Sequence, residues 1–311
     1  MQTEFKSLAA LTKAIQDEAA AVTYFTAIRW AHGQFCPLCG STELYHLVPK
    51  TEPRYVADHK CKACSKRFSI KVGTVMEGTK ITVRQWLMAI WLVTSHKKGI
   101  ASTQMAKDLG ITQKSAWSMI HRLRHGARTR SFNGPLSGKV EVDETFVGGK
   151  AKNRHKDKRG KSGVTGGSGK AIVVGAIERK GDLVTRVVEN VRAETLEKFV
   201  RETVSPNVDV VMTDKWLGYK HLGKEFPHIA IDHAAGEYVK GDAHTNSIEG
   251  YWSQLKRQIY GIHHWVSPKH LHYYVDESAW RFNRRDIAEG ARVNEFITGM
   301  GGRLKYERLI S

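Results

Sequence analysis

The stretch His244-Thr245-Asn246-Ser247-Ile248-Glu249-Gly250-Tyr251-Trp252-Ser253-Gln254-Leu255-Lys256-Arg257 reads as a helix with two distinct faces. Ile248, Trp252, Leu255 and Ile259 recur at helical spacing and make an apolar stripe. Asn246, Glu249, Ser253 and Lys256 make a polar stripe beside it. A carboxylate and an ammonium are thereby held two turns apart on one face, an arrangement suited to a metal ion next to a phosphate. Taken alone, Asn246 as N-cap with Glu249 three positions on is also an ordinary capping box. The rest of the chain has to decide between a structural and a chemical role.

Upstream, Lys139-Val140-Glu141-Val142-Asp143-Glu144-Thr145-Phe146-Val147 alternates apolar and acidic residues, a strand with Asp143 near its end. Glu141 and Glu144 read as solvated strand-end charges. Two further strands, 171–177 and 184–188, flank a turn at Gly181-Asp182. A helix with Thr195, Leu196, Phe199 and Val200 on its inner side follows, then the apolar strand 208–214, ending in Asp214. A helix over 216–225, a short strand 228–231, the opening helix and a last helix from Pro268 complete the order. In a mixed sheet the first and fourth of these strands can lie side by side. Asp143 and Asp214 then meet at one edge, and a helix crossing the sheet brings Glu249 to them. Three hard oxygen ligands in a cleft suit two Mg²⁺ or Mn²⁺ ions about 4 Å apart.

The Gly, Lys and Arg-rich stretch 149–170 has almost no apolar residues and reads as a mobile loop that contacts phosphates. Its Gly166-Gly167-Ser168-Gly169-Lys170 is not a nucleotide-binding loop. Val164 stands where that motif's first glycine should, and Ala171 where a hydroxyl residue should follow the lysine. His263, His264, His270 and His272 lie on a loop and a helix start and do not point to one metal.

The front half has a different chemistry. Residues 5–31 read as helix. Cys36 and Cys39 form one C-x2-C pair and Cys61 and Cys64 a second, with 21 residues between the pairs. Two such knuckles supply four thiolates to tetrahedral Zn²⁺ and close its shell, so the zinc is expected to be structural. Residues 82–96 form an apolar helix. Ser102 to Trp117 then reads as a helix-turn-helix, with Gly110 in the turn and Thr112 capping the second helix. Gln113, Lys114 and Ser115 are residue types suited to a major groove, with Arg122 and Arg124 extending a basic face. The turn-rich 131–138 reads as a linker.

Composition agrees with a polyanionic partner. Of 311 residues, 49 are Lys or Arg and 31 Asp or Glu, a net charge of +18. No apolar run approaches the roughly 20 residues that a membrane span needs. The start, Met1-Gln2-Thr3-Glu4-Phe5-Lys6, lacks the pattern of a signal peptide. A cytoplasmic, nucleoid-associated protein with no membrane partner is expected.

In their order and spacing, the Cys-Pro-x-Cys-Gly knuckle, Val142-Asp143-Glu144-Thr145, Thr213-Asp214, His244-Thr245-Asn246-x-Ile248-Glu249-Gly250-x-Trp252, Lys256-Arg257 and Arg281-Phe282-Asn283 resemble bacterial insertion-sequence DDE transposases with an N-terminal zinc ribbon and an ISXO-type catalytic domain. The resemblance implies a multidomain chain. An N-terminal helical segment (1–30), a small β zinc ribbon (31–75) and a helix-turn-helix region (80–130) would precede an α/β ribonuclease-H-like domain, a mixed sheet flanked by helices (138–290), and a tail (291–311). It further implies binding to terminal inverted repeats, Mg²⁺-dependent cleavage, and joining of the 3′-hydroxyl ends to target DNA by a homo-oligomer on paired ends. Asp143, Asp214 and Glu249 would be the metal ligands, Asn246 the alternative third ligand, and Lys256 and Arg257 contacts to the DNA backbone. A catalytically dead DNA-binding regulator and a nuclease of the same fold are the competing readings.

Overall fold

Val140 and Val142 send their side chains to one side of a strand, and Glu141 and Asp143 to the other, because successive side chains in β structure point oppositely. The computed structural model builds a sheet on that alternation; it describes residues 5–47, 58–128, 134–149, 169–231 and 244–310. The chain divides into two units, one of residues 131–283 and one of residues 1–130 with 284–311.

The unit of residues 131–283 contains β4 (Lys139–Val147), β5 (Ala171–Glu178), β6 (Leu183–Val188), α6 (Ala193–Thr203), β7 (Val210–Asp214), β8 (His228–Ile231), α7 (Asn246–Arg257) and α8 (Leu271–Asn283). The five strands lie in the order β6-β5-β4-β7-β8. The first three form an antiparallel meander, whereas β7 and β8 run parallel to β4. This is the mixed sheet, flanked by helices, of a ribonuclease-H-like domain, with the first and fourth strands adjacent as the sequence predicts. One face buries Val140, Val142, Val174 and Val211 under α6 residues Leu196, Phe199 and Val200. The other buries Val173 and Ile177 under the α7 stripe Ile248, Trp252, Leu255 and Ile259, together with Leu271 and Val275 of α8. Burial of each such side chain contributes about 1.5–3 kcal/mol. Two apolar faces on one sheet therefore require both helix layers.

The span 216–225 is not one helix but two short 3₁₀ turns, Leu217–Tyr219 and Leu222–Lys224. Gly218 explains why the chain hugs α6 here: a Cβ at this position would lie 2.7 Å from Leu196 Cδ1. The basic stretch 150–168, which covers most of the expected phosphate-contacting loop, lies outside the described residues.

In the other unit the expected first helix is two, α1 (Leu8–Ala14) and α2 (Glu18–Arg29). Asp17 starts the second by accepting a hydrogen bond from Ala20 N–H at 2.8 Å. Strands β1 (Leu44–His46), β2 (His59–Cys61) and β3 (Arg67–Phe68) make the small antiparallel ribbon. Helix α3 (Val83–Ser95) begins with a Thr82–Gln85 capping box. Helices α4 (Ser102–Leu109) and α5 (Gln113–Arg128) meet at Gly110, whose φ of 62° is the left-handed conformation that glycine adopts without strain. The C-terminal stretch is not a tail. Helix α9 (Glu289–Gly299) packs on α2, α3 and α5, burying Val293, Phe296 and Ile297, and α10 (Glu307–Ile310) follows it. Among the described residues no helix is long and apolar enough to cross a membrane.

Candidate metal centres and nucleic-acid interface

The four cysteines converge as their spacing predicts. Cys36 Sγ lies 3.8 Å from Cys64 Sγ, and Cys39 Sγ 3.6 Å from Cys61 Sγ. Four sulfurs about 2.3 Å from a central Zn²⁺ in a tetrahedron stand about 3.8 Å apart. The thiolates present therefore fit a structural zinc.

The second centre starts from register. Glu141 of β4 pairs with Met212 of β7, so Asp143 and Asp214, two residues further on, stand level on adjacent parallel strands. Glu144 joins them: ligand oxygens of Asp143, Glu144 and Asp214 all lie within 4.8 Å of one another. Among the described residues these two clusters alone converge three or more His, Cys, Asp or Glu side chains in this way, so the four histidines between 263 and 272 form no such site. Glu144 is thus not a solvated strand-end charge. It faces the α6 side, where the buried Tyr219 hydroxyl donates to its Oε2 at 2.8 Å. Asp143 faces α7, and Trp252 Nε1 donates to its Oδ2 at 2.9 Å. Acids at consecutive strand positions are common, and the only trace of Glu144's role in the sequence is its adjacency to Asp143.

Burial, then the charge of Asp214, raises the Asp143 carboxyl to about 6. Burial likewise raises Glu144 to about 7, although the Tyr219 hydrogen bond works against it. Carboxyls raised in the folded state favour folding at low pH and lose that contribution as pH rises through the raised values. Above about pH 7 the bare cluster consequently costs stability, and a divalent cation held by hard carboxylate oxygens would offset the cost.

Helix α7 carries Glu249 and Lys256 on an exposed stripe, with Asn246 and Ser253, beside the buried seam. Glu249 lies outside the three-carboxylate cluster, yet its charge adds a smaller upward push on Asp143. The expected Asn246–Glu249 capping box does not form. Asn246 is the first helical residue, Thr245 precedes it, and Thr245 Oγ1 donates to Glu249 Oε1 at 2.9 Å.

The cap comes from Glu141, a fully buried carboxylate of β4. It accepts from the Ser247 N–H at 2.8 Å, the Ile248 N–H at 3.1 Å, the Ser247 hydroxyl at 2.9 Å and Arg179 Nε at 2.9 Å. The negative charge also complements the helix dipole. Truncation, Glu141→Ala, would take the carboxylate partner from a largely buried Arg179 and the acceptor from two helix amides. A loss of about 3–5 kcal/mol is expected in urea unfolding, with a clearly smaller loss for Glu141→Gln, which keeps an acceptor.

On the helix-turn-helix, Gln113 and Lys114 are exposed and Ser115 is half-buried at the start of α5, where Thr112 Oγ1 accepts from the Ser115 N–H at 3.2 Å. Arg122 and Arg124 are not on that face. Both are buried, and Arg122 Nη1 donates to the Val75 and Glu77 carbonyls at 3.1 and 2.6 Å. Helical spacing alone could not show this, because α9 and the 75–77 segment cover the side of α5 that would otherwise be solvent. In front of the exposed turn lies a cleft of about 370 Å³, lined by Thr79, Lys80, Lys114, Ser115 and Ser118, with Tyr306 as one wall. Lys114 Nζ sits over the Tyr306 ring, 5.4 Å from its centroid.

Asp143 lies midway along β4 rather than near its end, whereas Asp214 closes β7. A four-thiolate ribbon ahead of a mixed-sheet domain whose adjacent parallel strands bring these carboxylates level defines an α/β domain with a candidate metal site, joined to a zinc-ribbon module. Residues 135–283 match the ISXO2-like transposase domain family, and residues 16–67 the transposase zinc-ribbon domain family. The chain therefore carries an ISXO2-like transposase domain behind a transposase zinc ribbon, the layout of an insertion-sequence transposase. It is 25% identical over 270 residues to an uncharacterized protein in transposable element ISH50 of Halobacterium salinarum, covering 82% of this chain and 85% of that protein. Among solved structures, a pre-cleavage Mos1 transpososome aligns at 10% identity over 70% of this chain and 79% of that one, with a TM-score of 0.27. A Mos1 paired-end complex with the left transposon end aligns at 11% identity over 70% and 80%, with a TM-score of 0.19.

Proposed function

We propose that the protein binds the terminal inverted repeats of its element, cleaves at them and joins the 3′-hydroxyl ends to target DNA. The convergence of Asp143, Glu144 and Asp214 within 4.8 Å carries this reading. Asp143 and Asp214 would hold two Mg²⁺ ions, with Glu249 completing the shell from α7. Bound there, the ions would activate a water or 3′-hydroxyl and stabilise the leaving oxygen. Glu249 is favoured over Asn246 because its charge already acts on Asp143 and because a carboxylate is the harder, charged ligand. Glu144 is a further candidate ligand. Lys256, two turns along the same exposed stripe, and Arg257 would bind the backbone of the reacting strand.

The first turn of α5, with Gln113, Lys114 and Ser115, would enter a groove, and the adjoining Lys80 side of the cleft would take a backbone phosphate. The net charge of +18 favours such contacts and makes them strongly dependent on salt. Assembly as a homo-oligomer on paired ends belongs to the same reading.

The protein incubated with Mg²⁺, a labelled element end and a plasmid is expected to yield joined product. Cleavage without joining would make it a nuclease, and binding without either would make it a regulator. In the same assay Glu249→Gln is expected to lose joining and Asn246→Ala to retain most of it. The reverse pattern would transfer the third ligand to Asn246.

A further inference from the structure

We infer that Trp252 and Tyr219 are positioning residues that hold Asp143 and Glu144 in the orientation in which they share a divalent cation with Asp214. This rests on the metal-dependent reading above and assigns roles to two side chains outside the carboxylate set.

Strand alternation sends Asp143 and Glu144 to opposite faces of β4, so no single neighbour can steady both. Each face supplies one buried aromatic donor. Trp252, 4% exposed, gives its indole N–H to Asp143 Oδ2 at 2.9 Å from the α7 side. Tyr219, 1% exposed, gives its hydroxyl to Glu144 Oε2 at 2.8 Å from the α6 side. Carboxylates gathered this closely repel one another, and the repulsion favours swinging them apart. A rigid buried ring with two side-chain torsions resists that motion at little entropic cost.

The choice of donor is informative. Lysine or arginine would orient a carboxylate equally well but would also cancel its charge. Indole N–H and phenol O–H are neutral donors, so the carboxylates are fixed while the negative charge that attracts the cation is kept. Each occupies lone pairs on one oxygen and leaves others for a metal.

The sheet also makes room for this arrangement. Gly175 of β5 pairs opposite Asp143. A Cβ there would lie 2.7 Å from Trp252 Cη2 and 2.9 Å from Cζ2. Only glycine lets the indole lie across the sheet at the level of Asp143. The residues on either side, Val174 and Ala176, are buried on the opposite face and do not meet the ring.

The test is Mn²⁺ binding by the full chain without DNA, measured by titration calorimetry. Trp252→Phe and Tyr219→Phe each remove one hydrogen bond; Tyr219→Phe keeps its ring, and Trp252→Phe keeps an apolar ring smaller than the indole. Outer-shell partners of this kind typically contribute about 10–100-fold in metal affinity, so each variant is expected to bind Mn²⁺ at least about tenfold more weakly. Zinc content and affinity for element ends should match the unaltered protein, which a general loss of structure would not allow. Gly175→Ala keeps Trp252 but displaces its ring, and is expected to weaken Mn²⁺ binding by the same route. Tyr219→Phe loses a single oxygen at constant packing volume, so its result stands even where the α7-side variants fold poorly. Unchanged Mn²⁺ affinity in Trp252→Phe and Tyr219→Phe would overturn the positioning roles and leave the proposed function intact. Failure of the unaltered protein itself to bind Mn²⁺ would instead overturn the metal-dependent reading, and the positioning roles with it.

Discussion

Asp143→Asn and Asp214→Asn are expected to lower strand joining by about a thousandfold or more while leaving affinity for element ends within about twofold. The size follows from the several kcal/mol that metal-held charge contributes to the transition state, at about 1.4 kcal/mol per factor of ten. Asparagine matches aspartate in shape, and an amide oxygen at position 143 still accepts from the Trp252 indole. What changes is charge. A second measurement separates this from misfolding. Without divalent ions, burial and the Asp214 charge raise the Asp143 carboxyl to about 6, so its ionised form is disfavoured in the fold. Folding is therefore opposed as pH rises through that value, and an uncharged residue removes the opposition. Both variants should be at least as resistant to heat as the unaltered protein at pH 8, and their advantage should shrink toward pH 5. Thermal unfolding across that range checks the sign. Full joining activity in either variant would remove that residue from the metal site.

Removing zinc is expected to have the largest structural effect. The ribbon strands have only three, three and two residues, too few to fold on hydrogen bonds alone. Its apolar content is a small stack of Trp30, His59 and Phe68, with His59 and Phe68 ring centroids 5.3 Å apart. Zinc binding by four thiolates supplies about 10–16 kcal/mol in small domains of this type. Elemental analysis should find one zinc per chain. Cys36→Ser, which alters a fully buried ligand, should release it and open the segment from 36 to 68 to proteolysis. Affinity for element ends is expected to fall about tenfold or more as the basic surface of Lys60, Lys62, Lys66 and Arg67 loses its fixed shape. A ribbon that resists proteolysis without zinc would show that the thiolates are dispensable.

Much of the architecture was legible in the residues. Alternation at 139–147, the apolar run 208–214 and the α7 stripe have the periods of their elements, and each element formed. The capping box at Asn246 was a local reading overtaken by a distant partner. Glu141 offers a full buried charge to the same amides, and an exposed amide side chain does not displace it. Arg122 and Arg124 failed as a DNA face for a similar reason. Which side of α5 meets solvent depends on α9, more than 160 residues away in the chain. The stretch 291–311 is no tail because Val293, Phe296 and Ile297 recur on one side of a helix and are buried there.

Short-range order thus settled whatever short-range geometry controls: the paired cysteines that close a zinc shell, the strands that carry Asp143 and Asp214, and the helix that presents Glu249. Sheet register and packing settled the rest. Only with β4 against β7 do Asp143 and Asp214 stand level, and only with both faces covered do Trp252 and Tyr219 reach the two carboxylates between them. Spacing along the chain encodes ligands that are neighbours in sequence, but the meeting of side chains from distant strands and helices depends on which surfaces bury one another.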